Sequence, residues 1–379
     1  MALDGAGLQT SLTKHTGRLG PAAGAYVVNL DTGDVLFRRR ENLALAPASN
    51  EKLFVTAAAL LRFGPDHTLA TELHLPPGAT IDAAGAIDGD VYLVGGGDPA
   101  LDDLDLKVLA GALAAAGAKR ITGGVRGDET RFDLMRGSYD SAFKPDFDLG
   151  GWLSALAWGH GRAGAKGPAV YSANRLQQLL KARGIAFGRK ARAGTAPRPL
   201  AEPFATAPSP PMSSLAAVTN RASDNFFAEM LVKDLGASFG GAGTTKAGLK
   251  VVRSQLSAFG IHPRMVDGSG LSRANRATAR QIVRLLERMR SQEIAPSWLE
   301  SLAVAGRSGT LRKRMRRTAA AGVCQAKTGT LIGVSALSGY CTTRGGATLA
   351  FSFLENGIST VAAKRIEDKM VAAVAKYDG

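Results

Sequence analysis

Three short groupings of residues carry the side chains needed to attack a carbonyl carbon. In PASNEKLFVTAAALL, residues 47–61, Ser49 precedes Lys52 by three positions at the mouth of an apolar helix. That spacing sets both side chains on one helix face, one turn apart, where a neutral lysine can take the serine proton. The competing reading of Ser49 is an N-cap whose hydroxyl satisfies a free backbone N–H. The Ser-x-x-Lys pattern is also cheap, since it recurs at Ser11–Lys14 and Ser141–Lys144. No substantial apolar helix follows Ser11, and Pro145 comes directly after Lys144, so Ser49 alone opens a long buried helix. The second grouping is Ser223-Asp224-Asn225, where a loop or helix turn presents a hydroxyl and an amide together; a similar Ser-x-Asn stands at Ser172–Asn174. The third, Lys327-Thr328-Gly329-Thr330, occurs once, on an expected strand. A glycine there interrupts the strand and lets a ligand approach the backbone closely.

These groupings need elements to hold them. Residues 24–40 read as a hairpin turning at Asp31-Thr32-Gly33-Asp34, followed by the Ser49 helix. Strands are expected in ATELHL and DVYLVGGG within 68–98 and at the start of 121–133, with helices over 102–117 and near 172–183. A Gly- and Pro-rich stretch runs from 159 to 211, and its last part, APSPPMSS, reads as a linker. Helices follow near 213–235, 244–259 and 277–290. The chain then returns to strands in VCQAKTGTL, SALSGYCTT and ATLAFSFLE, and closes with a helix over 359–376. The economical arrangement is one antiparallel sheet shared by the N-terminal hairpin and the C-terminal meander. Residues 1–66 and 210–379 would form that domain, and 67–209 an α+β insertion.

Composition narrows the classes. The chain has 379 residues, 45% of them hydrophobic, enough for two domains or for one with a large insertion. No apolar run reaches the length of a membrane span, and MALDGAGLQTSL lacks the charged start and apolar stretch of a secretory signal. The formal charge of +15 is concentrated in GRSGTLRKRMRR, 306–317, and RQIVRLLERMR, 280–290. Such a surface attracts anionic partners, a cell-envelope polymer or membrane among them, if it is more than a solvated face. No zinc-finger spacing or aromatic-studded RNA motif points to nucleic acid. Two cysteines and five scattered histidines give no metal-ligand pattern, so neither metal nor cofactor is expected. Cys324 and Cys341 fall on successive strands at roughly opposite positions. They are expected close in space, either bridged or as two buried thiols, the latter favoured because cross-strand geometry is often poor for bridging.

Ser-x-x-Lys, Ser-Asp-Asn and Lys-Thr-Gly in this order are the trio of penicillin-binding proteins and class A β-lactamases. The chain resembles the D-alanyl-D-alanine carboxypeptidases/endopeptidases of the low-molecular-mass class C penicillin-binding proteins. The likeness extends to GDVYLVGGGDPAL (89–101), SDNFFAEML (223–231), VDGSGLSRANRATA (266–279) and AKTGTLIGVSALSGY (326–340), and so covers nearly the whole chain. It implies an α/β fold of the penicillin-binding-protein/β-lactamase transpeptidase type, an antiparallel sheet flanked by helices, with insertions between the first and second motifs. Ser49 and Ser223 lie only 174 positions apart, so the outer of the family's two insertions is expected to be missing or severely cut.

The resemblance implies a serine peptidase acting on peptidoglycan stem peptides in the periplasm or outside the cell, acylated by β-lactams and needing no cofactor. Ser49 would attack the carbonyl between two D-alanines, with Lys52 as base, its pKa lowered by burial and by Lys327. Ser223 would relay the proton to the leaving amine and Asn225 would orient the substrate amide. Lys327, Thr328, Gly329 and Thr330 would hold the terminal carboxylate, and the backbone N–H groups of Ser49 and Thr330 the oxyanion. Asp128, in VRGDETRFD, would receive a free side-chain amine of the stem peptide, against the reading of a solvated turn carboxylate. Two alternatives stand beside this one. A class A-type β-lactamase needs a Glu-x-x-Leu-Asn loop, and Glu229, Glu287, Glu293 and Glu300 do not sit in that pattern. A non-catalytic envelope-binding protein would have no use for the intact trio.

Overall fold

The computed structural model describes residues 2–379, which fall into two compact units. The first comprises the chain up to Pro65, Met212–Ala228 and Leu249–Gly379. Its centre is a six-stranded sheet in the order Ala303–Val304, Cys324–Leu331, Val334–Thr342, Thr348–Asn356, Ala23–Asn29, Val35–Arg39. Every neighbouring pair is antiparallel. Strand Val334–Thr342 is buried except at its last residue, as expected of a central strand covered on both faces.

Side chains alternate across that strand. Leu337 and Cys341 face a core with Leu8 and Leu12 of helix Gly5–Thr16 and with Met370, Val371 and Val374 of helix Thr360–Val374. Tyr340 faces the other way. Its hydroxyl donates to the Leu286 carbonyl (2.7 Å) in helix Ala279–Arg290 and accepts from the Trp298 indole N–H (2.8 Å). That helix buries Ile282, Val283, Leu285, Leu286 and Met289 and starts in a capping box made by Thr278 and Gln281.

Three features differ from the sequence expectation. Helix Gly5–Thr16 is absent from it, because two glycines weaken the local propensity; Asp4 caps the Gly7 N–H and burial of Leu8 and Leu12 holds the helix. The helix expected near 213–235 is two helices, Met212–Ala217 and Asn225–Phe239, separated by a wide turn over Val218–Ala222 and a left-handed Ser223. Asp224 starts the second by accepting from the Phe227 N–H at 2.9 Å. Cys324 and Cys341 face each other across the sheet and form a disulfide, in place of the two thiols favoured above. Their Cα atoms, 4.1 Å apart, are near the short separation of a non-hydrogen-bonded antiparallel pair.

The second unit comprises Asp66–Pro211 and Glu229–Gly248, so it takes residues 229–248, which the sequence reading keeps with 210–379. Its five-stranded sheet runs Ala205–Pro208, Ala70–His74, Val91–Val94, Val125–Asp128, Arg192–Ala193. The first two pairings are antiparallel and the last two parallel. Parallel strands need a crossover, and helix Asp103–Ala115 provides it between Val91–Val94 and Val125–Asp128. A small parallel sheet, Ala86–Ile87, Arg120–Ile121 and Ala186–Phe187, completes the layer. Leu106, Leu109 and Leu113 pack with Leu176 and Leu180 of helix Pro168–Lys181 and with Leu93 and Val125 of the sheet.

Candidate active site

The first unit brings the three sequence groupings together. Ser49 lies in the tight turn Ala48–Asn50 that leads into helix Glu51–Phe63. It is not the N-cap: that position is Asn50, whose side chain makes no capping bond. The Ser49 hydroxyl instead faces Lys52, whose Nζ lies 3.0 Å away. Lys52 is fully buried, and its Nζ also donates to Asn225 Oδ1 (2.7 Å) and to the Ser269 carbonyl. A neutral amine has two N–H donors and one lone pair. In that neutral form, with two N–H groups serving the two amide oxygens, the lone pair would face the Ser49 hydroxyl, as a base requires.

The Ser269 carbonyl is aimed by a loop that the sequence reading singles out without giving it a role. Asp267 accepts from the N–H groups of Gly270 (2.8 Å) and Ser272 (2.7 Å) and from Asn275 Nδ2 (2.7 Å). Burial raises the Asp267 pKa, while these bonds and the charge of Lys52 oppose the rise. Gly270 has φ +80°, and a β-carbon on it would come within 2.0 Å of the Ala48 carbonyl. The loop therefore lies directly on the Ser49 turn.

On strand Cys324–Leu331, Lys327 is fully buried and its Nζ donates to the Ser223 hydroxyl and to the Thr328 carbonyl, both at 2.8 Å. Burial first, and the charge of Lys52 second, hold the Lys327 pKa well below the ordinary lysine value. Ser223 reaches Lys327 from a left-handed backbone, φ 62° and ψ 38°, a conformation uncommon for a residue with a side chain. Asn220 anchors the turn before it by donating to the hydroxyls of Thr56 (3.0 Å) and Ser301 (2.9 Å).

Thr328 bonds the hydroxyl of Thr310 at 2.9 Å, a partner the sequence reading does not find because it lies inside the basic stretch 306–317. Thr330 is exposed. Gly329 is needed for a second reason that the sequence does not show. A β-carbon there would meet the Pro47 carbonyl at 2.7 Å and Asn50 Nδ2 at 3.1 Å, so the glycine admits the Ser49 turn itself. Asn50 Nδ2 also donates to the Lys327 carbonyl at 3.2 Å.

Asp128 belongs to the second unit and is buried rather than solvated. It accepts from the Thr130 N–H (2.8 Å) and hydroxyl (2.6 Å), from the Ala196 N–H (2.8 Å) and from Arg198 (3.2 Å). The decoy serines have structural duties. The Ser141 hydroxyl bonds the carbonyls of Ser138 and Lys144, and Ser172 is buried on helix Pro168–Lys181, where it bonds the Pro168 carbonyl. Among the described residues, no group of three or more His, Cys, Asp or Glu side chains could hold a metal ion.

Comparison with known proteins places this geometry in company. Residues 7–148 and 160–377 match the D-Ala-D-Ala carboxypeptidase 3 (S13) family. A D-alanyl-D-alanine carboxypeptidase of Actinomadura sp. (strain R39) is 33% identical, over 95% of this chain and 82% of its own length. The crystal structure of penicillin binding protein 4 from Haemophilus influenzae superposes with a TM-score of 0.82 at 21% identity, covering 97% of this chain and 99% of that one. The same protein complexed with a β-lactam gives a TM-score of 0.77 at 22% identity, with 95% and 97% covered. At those identities the two structures speak for the fold.

Proposed function

The chain belongs to the D-Ala-D-Ala carboxypeptidase 3 (S13) family, and we propose that it is a serine D-Ala-D-Ala carboxypeptidase/endopeptidase. It acts on peptidoglycan peptides through an acyl-enzyme and is covalently inhibited by β-lactams. The observation that carries this reading is the Lys52 amine, bonded to Asn225 and to the Ser269 carbonyl and set against the Ser49 hydroxyl.

In this reading Lys52 takes the Ser49 proton as Oγ attacks the carbonyl between the two D-alanines. The backbone N–H groups of Ser49 and Thr330 hold the developing oxyanion. Ser223, bonded to Lys327, relays that proton from Lys52 to the departing amine, which leaves Lys52 neutral to take a proton from the attacking water. Thr328, Gly329 and Thr330 line the place of the terminal carboxylate, whose charge favours the protonated form of Lys327. Water then hydrolyses the ester. A β-lactam keeps its leaving group tethered, so its ester persists. Fluorescent penicillin and a D-alanyl-D-alanine peptide test the reading together: stable labelling with D-alanine release supports it, rapid turnover of the penicillin points to a lactamase, and neither to a binding protein.

Two placements belong to the same proposal. Asp128 receives the side-chain amine of the stem peptide, which must compete with the Arg198 guanidinium on the same carboxylate. The enzyme works in the periplasm or outside the cell, at the envelope; no described helix is long and apolar enough to cross a membrane. An anionic envelope polymer would find Arg284 and Arg288 in a cleft of about 450 Å³ that Tyr26, Glu287 and the Glu41-paired Arg280 also line. Loss of salt-sensitive retention on polyphosphate in an Arg284→Glu/Arg288→Glu variant tests that contact.

A further inference from the structure

The second unit carries a cleft that none of this chemistry uses. It has a volume of about 750 Å³, and its lining includes Asp146, Phe147, Trp152, His160, Arg162 and Tyr171. A second hollow of about 440 Å³ shares Tyr171 as a wall and adds Trp158, Asn174, Arg175 and Gln178. Residues 149–159, which supply part of this wall, fall outside the family match. Two of the chain's three tryptophans are here, although only 6% of its residues are aromatic. Phe147 is 97% exposed and Tyr171 41%. Isolated exposed rings need no explanation, but a cluster of them around a cavity marks a binding surface.

The walls are built rather than loose. Gly159, His160 and Gly161 have φ of 63°, 62° and 66°; the glycines take that conformation freely, but His160 needs its surroundings to hold it there. The Gly159 N–H donates to the Leu101 carbonyl (2.8 Å) and the Trp152 N–H to the Gly161 carbonyl (3.0 Å). The Trp158 indole N–H donates to Asp103 (3.0 Å), and Arg175, itself paired with Asp103, lies 5.7 Å from the centre of a Trp158 ring. Gly164 lies against the Tyr171 ring, where a β-carbon would meet the hydroxyl at 2.8 Å and push the ring aside.

A pyranose ring offers two apolar C–H faces and a rim of hydroxyl and amide groups. Aromatic rings suit the faces, and the side chains of Asp146, Arg162, Asn174 and Gln178 suit the rim. The charges nearly balance: Asp146, held by the Ser138 hydroxyl and the Asp148 N–H, and Arg162 both line the cleft, and Arg175 is neutralised by Asp103. That balance disfavours a polyanion, which needs uncompensated cations, and the polar rim disfavours a purely apolar segment. We propose that the cleft binds the amino-sugar glycan strand that carries the stem peptides, with neighbouring sugar rings in the two hollows on either side of Tyr171. This rests on the reading of the enzyme as a peptidase of peptidoglycan.

The test titrates the full chain with the tetramer of N-acetylglucosamine, following tryptophan fluorescence, and measures turnover of a soluble pentapeptide and of the same peptide on glycan. Saturable binding is expected. Phe147→Ala and Tyr171→Ala, both at exposed positions, should each weaken it by about tenfold. The same variants should raise KM for the glycan-linked peptide by about tenfold and leave the soluble peptide unchanged. Absence of saturable binding overturns the proposal, as do unchanged affinity and KM in both variants. So does displacement of the sugar by the soluble peptide, which would make the cleft a peptide site. Failure of the unaltered enzyme on the soluble peptide would sink the peptidase reading instead, and the sugar titration would still decide the cleft.

Discussion

Gly270 stands so close to Ala48 that a β-carbon would reach within 2.0 Å of the Ala48 carbonyl. On another side of the same turn, Gly329 leaves no room for a β-carbon against Pro47 and Asn50. Two glycines therefore seat the turn that carries the nucleophile. Gly270→Ala and Gly329→Ala are expected to cost about 1–3 kcal/mol of stability each and most of the acylation rate. Gly111→Ala, in the open on helix Asp103–Ala115, should gain about 0.5–1 kcal/mol instead. Denaturant melts and penicillin acylation rates compare them directly.

Ser49→Ala should abolish peptide hydrolysis and penicillin labelling and leave stability within about 0.5 kcal/mol, because this serine caps nothing. A folded Ser49→Ala protein that still labels would sink the nucleophile assignment. A loss of about 1–2 kcal/mol would return Ser49 to a capping role.

Asp267 touches no reacting atom; it positions the Ser269 carbonyl. Asp267→Ala strips three donors of their acceptor and is expected to cost about 1–3 kcal/mol of stability for that reason. Its informative readout is kinetic. The acid limb of the acylation pH profile should move, because the buried carboxylate that feels the Lys52 charge is gone, whereas a purely structural role would scale the profile without moving it.

The depressed pKa of Lys327 sets a slope of stability against pH. The unfolded chain binds this proton up to the ordinary value of 10.5 and the native state releases it earlier, so stability is fully present above 10.5 and is lost as pH falls through the lowered value. Lys327→Met should flatten that rise. Equal slopes in the two proteins, measured by thermal melts across the alkaline range, would count against the shift.

Asp128→Asn should raise KM for stem peptides with a free side-chain amine and leave their acetylated forms and penicillin acylation nearly unchanged. Equal losses on both peptides would make Asp128 a brace for Thr130, Ala196 and Arg198 and nothing more.

What could be read from the sequence follows from what is local. Lys327-Thr328-Gly329-Thr330 is short and carries its own chemistry, and the C-terminal meander announces itself by β-branched and aromatic residues. Ser223 shows the limit. Its neighbours on both sides favour helix, and the left-handed break is held by Asn220 reaching Thr56 and Ser301, residues far away in the chain. The Thr310 hydroxyl, the Ser269 carbonyl and the packing of Gly329 against Pro47 are likewise products of tertiary structure. The disulfide needed a Cα separation that pattern alone does not supply.

Strand Ala23–Asn29 lies between Val35–Arg39 and Thr348–Asn356. A segment made early thus waits for one made more than three hundred residues later before its second edge is paired. Long-range pairing of this kind is slow, since loop closure comes before the contacts that reward it. The nucleophile is consequently synthesised well before the surface that orders it, whereas Asp66–Pro211 is a continuous stretch with most of its pairing partners inside it. As the chain folds, the strands of Asp66–Pro211 can pair while the catalytic sheet is still open, and acylation by penicillin should switch on only once Thr348–Asn356 has joined that sheet.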